Sequence, residues 1–424
     1  MSTRRQRRSS LALTVVAVLA TAACSAAETE DAADGTSASP APGGAPEENP
    51  LGEPNAATGE PLVFGMLSQE AGPVAFPEVR EGAQAAVDYL NEYRGGISGR
   101  PIELSMCVTD GQPSSSERCA NQILDEKPVA VLGAIDTGSS ASMPVWERAN
   151  LAYLGGLPLT PAENTSPQSV QFYQASIGDN AASAAYAATE LGAESAYVIY
   201  TDDPQGQSLG KDVIIPTLEQ AGVDDVESIA VPPSAADLSA PAATAVSADP
   251  DVIFVVVPNA CANMMLALQA VGNQSEIFTI GPCFAPEVIA AAGSSMTGVK
   301  HASPFTERSP ASPEGGLFFG ALGAFAPETP PSPLALGGFG TVMNVQAALD
   351  GIAPEELTTE AILAAFRTGT DKPNFMSHPY TCDGQQLGPF NAACNAYELI
   401  YEVDENGEEI LIAEEWFSPA EYFG

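Results

Sequence analysis

The chain has 424 residues, of which 15 are Lys or Arg and 54 are Asp or Glu, so its net charge at pH 7 is −39. Such an acidic chain is not expected to bind nucleic acid, because the phosphate backbone is held by clustered cations. The length exceeds what one ordinary hydrophobic core accommodates, and it predicts two domains.

The N-terminus has the pattern of an export signal. Four arginines precede the apolar run Leu11–Ala20, which is too short to cross a bilayer as a helix. The small residues Thr21–Ala23 stand directly before Cys24 and resemble a bacterial lipobox. We therefore predict that residues 1–23 are a lipoprotein signal peptide and that Cys24 is lipidated, which places the protein on the extracytoplasmic face of the cell membrane. Plain secretion is the alternative.

The next segment, residues 24–60, is rich in Ala, Glu, Asp, Gly, Ser and Pro and has almost nothing apolar larger than alanine. It cannot bury enough apolar surface to offset the entropy of ordering its backbone. The composition therefore predicts a disordered acidic tether.

A strand, a helix and a second strand follow in close succession. Leu62–Leu67 is a short apolar run typical of a strand buried on both faces, and Ala71-Gly72-Pro73 ends it. From Val79 the apolar residues recur at helical spacing until Gly95-Gly96, and the strand Pro101–Met106 comes next. In such a unit the loop after the first strand lies at the carboxyl end of a parallel sheet, where open α/β folds bind small ligands.

The same alternation continues along the chain. Further strands are predicted at Val129–Ile135, Ala152–Leu157, Ser195–Thr201, Val226–Val231, Val252–Val257 and Ile277–Ile280. Further helices are predicted at Ser114–Glu126, Gln207–Ala221, Leu238–Ser247, Ala262–Val271, Pro313–Phe325, Gly337–Leu349 and Glu356–Thr368. Near the C-terminus, Tyr397–Glu402 and Glu409–Glu414 are predicted to pair as a hairpin with a type I′ turn at Asn406-Gly407.

This alternation predicts an α/β protein with two Rossmann-like lobes joined by a three-segment hinge. The chain is expected to cross between the lobes at Gln171–Ser176, at Val299–Thr306 and after Lys372-Pro373. The predicted first lobe comprises residues 61–175 and 304–372, and the second comprises residues 176–303 and 373–424.

Several residues of the first unit resemble the opening of type I periplasmic binding proteins, specifically the leucine/isoleucine/valine-binding branch. They are Gly72-Pro73-Val74-Ala75, Asn91, the run from Gly96 to Leu104, and Asp110. A weaker likeness extends to about Gly298. The resemblance implies two lobes, a small ligand clamped between them, and delivery of that ligand to an ABC permease.

Besides Cys24 the chain has six cysteines, and an exported protein is expected to pair them as disulfides. Proximity in sequence favours the pairs Cys107–Cys119, Cys261–Cys283 and Cys382–Cys394. A zinc site is the rival interpretation, but no two cysteines have C-x-x-C spacing and the histidines are limited to His301 and His378.

The strongest binding motif is Asp136-Thr137-Gly138-Ser139-Ser140, which follows a predicted strand and opens a helix. Free amides at a helix start, with hydroxyls beside them, suit a ligand carboxylate or another acceptor. Thr137, Gly138 and Ser139 are therefore candidate ligand contacts, and the alternative is that they only cap the helix. Asp136 either meets a ligand ammonium or caps the helix.

The resemblance implies that the turn after the fourth strand also faces the cleft. Thr160 falls where the branched-chain amino acid binders place a threonine near the charged end of the ligand. Pro158 and Leu159 stand where small alanines are expected, which reshapes the pocket. Ser68 and Phe76 border the first loop, and Phe76 either packs on an aliphatic ligand or belongs to the core.

In the second lobe the resemblance nominates Gln205, Asn259 and Phe284 as ligand contacts. The amino acid binders also carry an acid near the position of Cys283, which neutralises the ligand ammonium, and an aromatic residue near Asn259. Neither is present in this chain.

A buried ammonium without a counter-charge is costly. An ordinary α-amino acid ligand therefore needs its counter-charge from Asp136, Asp202 or Asp203.

We predict a solute-binding lipoprotein of an ABC importer that closes as a monomer on a branched-chain amino acid or a related short carboxylate or amide, without a cofactor or metal. An enzyme is not expected, because the sequence has no G-x-S-x-G, P-loop or H-E-x-x-H motif. The alternative function is a ligand-sensing receptor ectodomain for a membrane signalling partner.

Overall fold

The chain folds into two α/β lobes, each built on a largely parallel sheet, and the computed structural model describes residues 49–72 and 74–423. The predicted signal peptide and Cys24 lie outside these residues. The strands are β1 Leu62–Gln69, β2 Ile102–Thr109, β3 Ala130–Leu132, β4 Tyr153–Leu154, β5 Ser169–Val170, β6 Ser195–Thr201, β7 Asp225–Val231, β8 Val252–Val256, β9 Glu276–Thr279, β10 Lys300–Ser303, β11 Glu398–Val403 and β12 Glu409–Phe417.

Helices cover the faces of both sheets. They are α1 Pro77–Tyr89, α2 Pro113–Asp125, α3 Ser139–Arg148, α4 Pro161–Thr165, α5 Ala175–Thr189, α6 Pro204–Gln207, α7 Ile215–Gln220, α8 Ser239–Ser247, α9 Cys261–Ala270, α10 Pro286–Ala292, α11 Pro313–Phe325, α12 Pro333–Leu349 and α13 Thr359–Arg367. Short π-helical segments follow α1 at Leu90–Arg94 and α6 at Ser208–Ile214. The predicted helix Gln207–Ala221 is therefore present as one continuous helical segment, Pro204–Gln220, with a π-helical stretch in its middle.

The first sheet has the strand order β2-β1-β3-β4-β5, and all its pairs are parallel. The second has the order β12-β11-β10-β9-β8-β6-β7, in which β11 and β12 are antiparallel to their neighbours. In β1 and β2 the register runs from Leu62 opposite Ile102 to Gln69 opposite Thr109. Parallel pairing brings the carboxyl ends of the strands, and the loops that leave them, to one edge of each sheet.

The central strands of the second lobe, β6 and β8, bury apolar side chains on both faces. All five residues of β8 are buried, as expected for a β-branched strand with helices on either side. Phe254 of β8 stacks on Phe278 of β9 with ring centroids 5.5 Å apart. The apolar run that predicted this strand is therefore the centre of a hydrophobic core.

In the first lobe, α12 packs against α1 with the two backbones in close contact. A Cβ atom on Gly82 would lie 2.0 Å from the carbonyl oxygen of Ala335, and one on Gly338 would lie 1.9 Å from that of Val79. Real Cβ contacts are never so short, so both positions require glycine. This contact fixes α12 to the first lobe although it lies far from α1 in sequence.

Three crossings join the lobes, as predicted. The first, after β5, carries the buried Tyr173, whose hydroxyl donates to the carbonyl oxygen of Phe375 at 3.3 Å and accepts from Asn344 Nδ2 at 3.2 Å. The second follows β10, and its Phe305 lies 4.8 Å from the Tyr173 ring. The third reaches β11 after Ser377, whose hydroxyl donates to Pro304 at 2.5 Å. The crossings therefore bond to one another.

The segment between residues 373 and 397 contributes to both cores. Phe375 and Tyr380 are buried with the first lobe, whereas Leu387 and Phe390 are buried with the second. The lobe boundary predicted at residues 372 and 373 stays a prediction.

Part of the predicted tether is ordered. The backbone N–H groups of Asn55, Ala57 and Thr58 donate to the carbonyl oxygens of Glu92, Asn91 and Gly99, at 2.9, 2.7 and 2.9 Å. The prediction of disorder is therefore wrong for residues 49–60, because backbone hydrogen bonds to the first lobe hold a segment that has few apolar side chains. For residues 24–48 it stays a prediction.

The C-terminal hairpin forms, but its turn differs from the predicted type. Gly407 has a φ of +81°, whereas Asn406 is not among the residues with positive φ, so a type I′ turn, which needs both, is excluded. The loop closes instead through Gly407 N to Asp404 O at 3.1 Å and Asp404 N to Glu408 O at 2.8 Å. The Asp404 carboxylate also accepts from the N–H groups of Asn406 and Glu408, which favours this longer loop.

Three disulfides are present in the described residues, and all three pairs are those that sequence proximity favoured. They are Cys107–Cys119, Cys261–Cys283 and Cys382–Cys394. The first ties β2 to α2, the second joins α9 to the turn after β9, and the third lies within the last crossing.

Candidate functional site

The carboxyl edges of the two sheets face each other across the hinge. β5 ends at Val170, and the chain passes directly into α5, which begins at the carboxyl edge of the second sheet. β10 ends at Ser303, and the chain then enters the first lobe, where Phe305 is buried. Because both crossings leave carboxyl ends of strands, the loops of the two edges border a common cleft.

Thr137 is exposed at this edge, in the turn between β3 and α3. Its backbone N–H and its hydroxyl both lie 2.9 Å from Oε1 of Gln69, the last residue of β1. The hydroxyl also lies 3.0 Å from the carbonyl oxygen of Gly111. Gln69 is buried, and its Nε2 donates to the carbonyl oxygen of Val74 at 3.0 Å, so both ends of its carboxamide are bonded.

Ser139 and Thr160 meet at the same edge, where their hydroxyl oxygens are 2.9 Å apart. Both bond to Glu163, a fully buried residue of α4: Oε2 lies 2.8 Å from Ser139 Oγ and 3.0 Å from Thr160 Oγ1. The same oxygen accepts from the backbone N–H groups of Leu159 and Thr160 at 3.0 and 2.9 Å, and Oε1 accepts from the Tyr153 hydroxyl at 3.0 Å.

The Glu163 carboxyl is thus held by an internal set of donors. Burial raises its pKa, while the hydrogen bonds from Thr160, Ser139, Tyr153 and Leu159 act in the opposite direction. The Thr160 and Glu163 pair is also a capping box at the start of α4.

Asp136 points into the first lobe and is 4% exposed. Its Oδ1 accepts from Thr109 Oγ1 at 3.1 Å and from the N–H of Gly138 at 3.2 Å. Burial raises the pKa of this carboxyl. Asp136 thus bonds the turn before α3 through Oδ1, while its buried Oδ2 has no hydrogen-bond partner within the described residues, and a role towards a ligand ammonium stays a prediction.

The other candidates of the first lobe differ in exposure. Ser68 and Gly138 are buried, whereas Phe76 and Leu159 are partly exposed and also pack against the hydrophobic core of the lobe. Phe76 and Leu159 therefore present apolar surface to solvent, whereas Ser68 and Gly138 do not.

In the second lobe, Gln205 is partly exposed at the start of α6, and Asn259 is exposed between β8 and α9. Phe284 is 7% exposed, and its ring lies 3.8 Å from that of His301. The bridge Cys261–Cys283 links the loop that carries Asn259 to the turn that carries Phe284. Two neighbouring loops of this edge are therefore covalently joined.

Two acidic residues follow β6 at this edge. Asp203 caps α6, because its Oδ1 accepts from the N–H of Gly206 at 2.8 Å. Asp202 is exposed and accepts from Gln207 Nε2 at 2.7 Å. Of the three acids proposed as a counter-charge for an ammonium, Asp202 is the one that solvent reaches freely.

A second acidic pair lies near the hinge and was not predicted. Glu398, at the start of β11, is 1% exposed, and it shares a hydrogen bond with Asp179 of α5. Burial raises the pKa of both carboxyls well above the usual range, and the neighbouring Asp179 raises that of Glu398 further. Gln174, at the start of α5, is fully buried, and neither amide atom has a hydrogen-bond partner within the described residues.

Sequence reasoning did not nominate Gln69 or Glu163. A polar residue that ends a buried apolar strand directly before a Gly-containing turn was the available signal for Gln69. The Thr-x-x-Glu spacing of Thr160 and Glu163 was the signal for the capping box.

In residues 49–72 and 74–423, no helix has the length and apolar character of a membrane span, and no cluster of three His, Cys, Asp or Glu is arranged to hold a metal ion.

Comparison with known proteins places this geometry in context. The family model described as periplasmic binding protein matches residues 61–393, which is most of the chain and includes both carboxyl edges. BraC3, a Leu/Ile/Val-binding protein of Rhizobium johnstonii, is 27% identical over 203 residues, which cover 46% of this chain and 53% of that protein. The chain thus matches about half the length of this relative.

Solved structures share the fold over nearly their whole length. The leucine-binding protein LivK of Thermotoga maritima has a TM-score of 0.69 at 20% identity, and the alignment covers 84% of this chain and 99% of that one. A fatty acid ABC transporter substrate-binding protein of Thermomonospora curvata has a TM-score of 0.72 at 16% identity, with 87% and 96% covered. At these identities the likeness concerns the fold.

Proposed function

The chain belongs to the periplasmic binding protein family, and from this premise we propose that it is the extracytoplasmic solute-binding lipoprotein of an ABC importer. One observation carries the proposal. The carboxyl edges of the two sheets face each other across a hinge of three crossings, and each edge has exposed polar side chains. Delivery to a permease and anchoring through Cys24 are part of the proposal.

We propose that the ligand is a branched-chain amino acid or a related short carboxylate or amide. Apolar contact comes from the exposed parts of Phe76 and Leu159, and polar contact comes from Thr160 on the first edge and Gln205 and Asn259 on the second. The names of related proteins, which mention leucine, isoleucine and valine in one case and fatty acids in another, agree with a solute that has an aliphatic part.

Closure follows from the placement of these contacts. A solute that touches both edges stabilises the arrangement in which the edges are close, so binding and closure form one linked equilibrium. The bonded crossings act as the hinge, and the closed lobes present a surface to the permease that the open form lacks.

The test uses a soluble form with Cys24→Ser. We expect at least one compound in a panel of branched-chain amino acids, their amides, short carboxylates and polyols to raise Tm, since a ligand at 100 times its Kd adds about 2.7 kcal/mol. Small-angle scattering should show compaction with the same compound. If no compound in the panel raised Tm and none caused compaction, the proposed function would be contradicted.

Matched variants locate the site. Gln205→Ala and Asn259→Ala should weaken binding of the compound that raises Tm, because they remove polar contacts from the second edge. Gln220→Ala, an exposed change at the end of α7 on the opposite side of the sheet, should leave binding unchanged. Equal affinity in all three variants would contradict the proposed position of the site.

Membrane fractionation that compares wild type with Cys24→Ser tests the proposed lipid anchor.

A further inference from the structure

We infer that Gln69 is a specificity-determining residue: its carboxamide oxygen occupies the acceptor position at Thr137, so the cleft selects solutes whose polar end is an uncharged amide or hydroxyl rather than a free carboxylate. This inference rests on the proposed function and narrows its ligand class. It concerns a residue outside the set that the sequence nominated.

The geometry at Thr137 is that of an acceptor within hydrogen-bonding distance of two groups, the backbone N–H and the hydroxyl, of which the hydroxyl can also donate to Gly111 O. One oxygen, Gln69 Oε1, lies 2.9 Å from both the N–H and the hydroxyl of Thr137. A ligand carboxylate oxygen would need the same place to accept from the same donors. Because Gln69 Nε2 is bonded to Val74 O and the side chain is buried, the carboxamide is held in that place.

The other donors nominated in the first lobe are also engaged internally. Ser139 Oγ, Thr160 Oγ1 and the N–H of Thr160 all bond to Glu163 Oε2. Pro158 carries no N–H. A carboxylate that enters the cleft would therefore have to displace a bonded side chain of the protein before it gained any of these first-lobe donors.

The electrostatic surroundings act in the same direction. Glu163 and Asp136 lie directly behind these donors, and the chain as a whole carries a net charge of −39. A ligand anion is unfavourable in so acidic a chain, whereas a neutral amide meets no such repulsion. Amide and hydroxyl groups also offer N–H or O–H donors to the acceptors of Gln205 and Asn259.

Isovalerate and isovaleramide are the probes that distinguish a carboxylate ligand from an amide ligand, since they share the same apolar part and differ only in that group. Isothermal titration of the soluble chain should show isovalerate binding more weakly than isovaleramide. Gln69→Ala removes the internal acceptor and frees the N–H of Thr137, while the Thr137 hydroxyl keeps Gly111 O as an acceptor. Isovalerate should therefore bind at least about tenfold more tightly than to wild type.

Further variants sharpen the test. Gln69→Glu keeps an acceptor oxygen beside Thr137, although it loses the Nε2 donor to Val74 O, and it should stay as weak for isovalerate as wild type. Gln220→Ala should also behave as wild type. Adding Thr137→Val to Gln69→Ala should remove part of the gain, because the hydroxyl that can turn from Gly111 O to the ligand is lost. Should Gln69→Ala fail to fold, Gln69→Ser carries the same expectation, with the melting curve as the check on folding.

The inference is overturned if Gln69→Ala or Gln69→Ser gives no gain for isovalerate, or if wild type binds isovalerate at least as tightly as isovaleramide. These outcomes are distinct from failure of the proposed function, which would appear as the absence of any ligand that raises Tm and compacts the lobes in the broader panel.

Discussion

Arg308 Nη2 lies 2.6 Å from Oε2 of Glu409, so the second crossing is tied to the last strand of the second lobe. The other carboxylate oxygen of Glu409 lies 2.5 Å from His301 Nε2 on β10. Although burial alone would raise it, the hydrogen bond from His301 and the charge of Arg308 lower the pKa of Glu409 to about 2.

Glu409→Gln should therefore destabilise the protein at neutral pH, by about 2–3 kcal/mol, because it removes a partly buried charge that two residues bond. A lowered pKa in the folded state gives stability that is present above the ordinary value of 4.5 and is lost as pH falls through about 2. The Tm difference between wild type and variant should shrink over that range. Glu405→Gln, in the exposed loop before β12, is the matched control, and a pH-independent difference would contradict the assignment.

The Asp179 and Glu398 pair should have the opposite pH dependence. Its raised pKa values mean that the folded state keeps protons that the unfolded state has released, so stability falls as pH rises above the ordinary range of these carboxyls. Glu398→Gln removes one of the two acids and should raise Tm at pH 7 relative to wild type, with a smaller difference at pH 4. Glu415→Gln on the exposed side of β12 is the control. Equal pH profiles for wild type and Glu398→Gln would rule out this account.

Much of the fold was predictable because its signals are local. β6 was predicted with its observed bounds, since a β-branched and aromatic run is flanked by turn residues. α5 was missed, because its sequence is mostly small residues, with alanine on every side, and shows no apolar stripe. It is buried nonetheless, since small side chains let it lie close to β10 and β11.

The sequence predicts where the candidate residues of the first lobe lie in the fold but not how they are bonded. Thr137 was nominated from the order of strand and helix and Thr160 from the family resemblance, and both lie in turns at the carboxyl edge of the first sheet. Their partners Gln69 and Glu163 depend on the register of β1 against β3 and on the path of the loop into α4. Such contacts join residues far apart in sequence, and no local pattern specifies them.

The close packing of α1 and α12 predicts an unequal response to alanine at two glycines. Gly338→Ala places a Cβ 1.9 Å from the Val79 carbonyl oxygen, so the helices must separate, and we expect a loss of at least about 2–3 kcal/mol. Gly323→Ala, in α11, meets nothing within 4 Å and should be neutral or stabilising by up to about 1 kcal/mol, because alanine favours the helix. Chemical denaturation measures both, and a similar effect for the two changes would contradict this packing.

Glu163 gives the last prediction, because its carboxyl has five hydrogen-bonded contacts from the start of α3, the turn before α4 and β4. Glu163→Ala leaves two backbone N–H groups and three hydroxyls to find other partners, and we expect a loss of about 3–5 kcal/mol. Glu163→Gln keeps one acceptor oxygen, so it should lower the free energy of unfolding by less than Glu163→Ala does. Burial raises the pKa of the native carboxyl, so the wild type loses stability as pH rises and the variant does not. The cost of Glu163→Gln should therefore be smaller at high pH. Glu117→Ala, on the exposed face of α2, controls for the loss of a glutamate. Denaturant titrations of the three variants at pH 5 and pH 8 provide the measurement, and a cost of Glu163→Gln equal to that of Glu163→Ala at both pH values would show that its hydrogen bonds do not hold the two turns together.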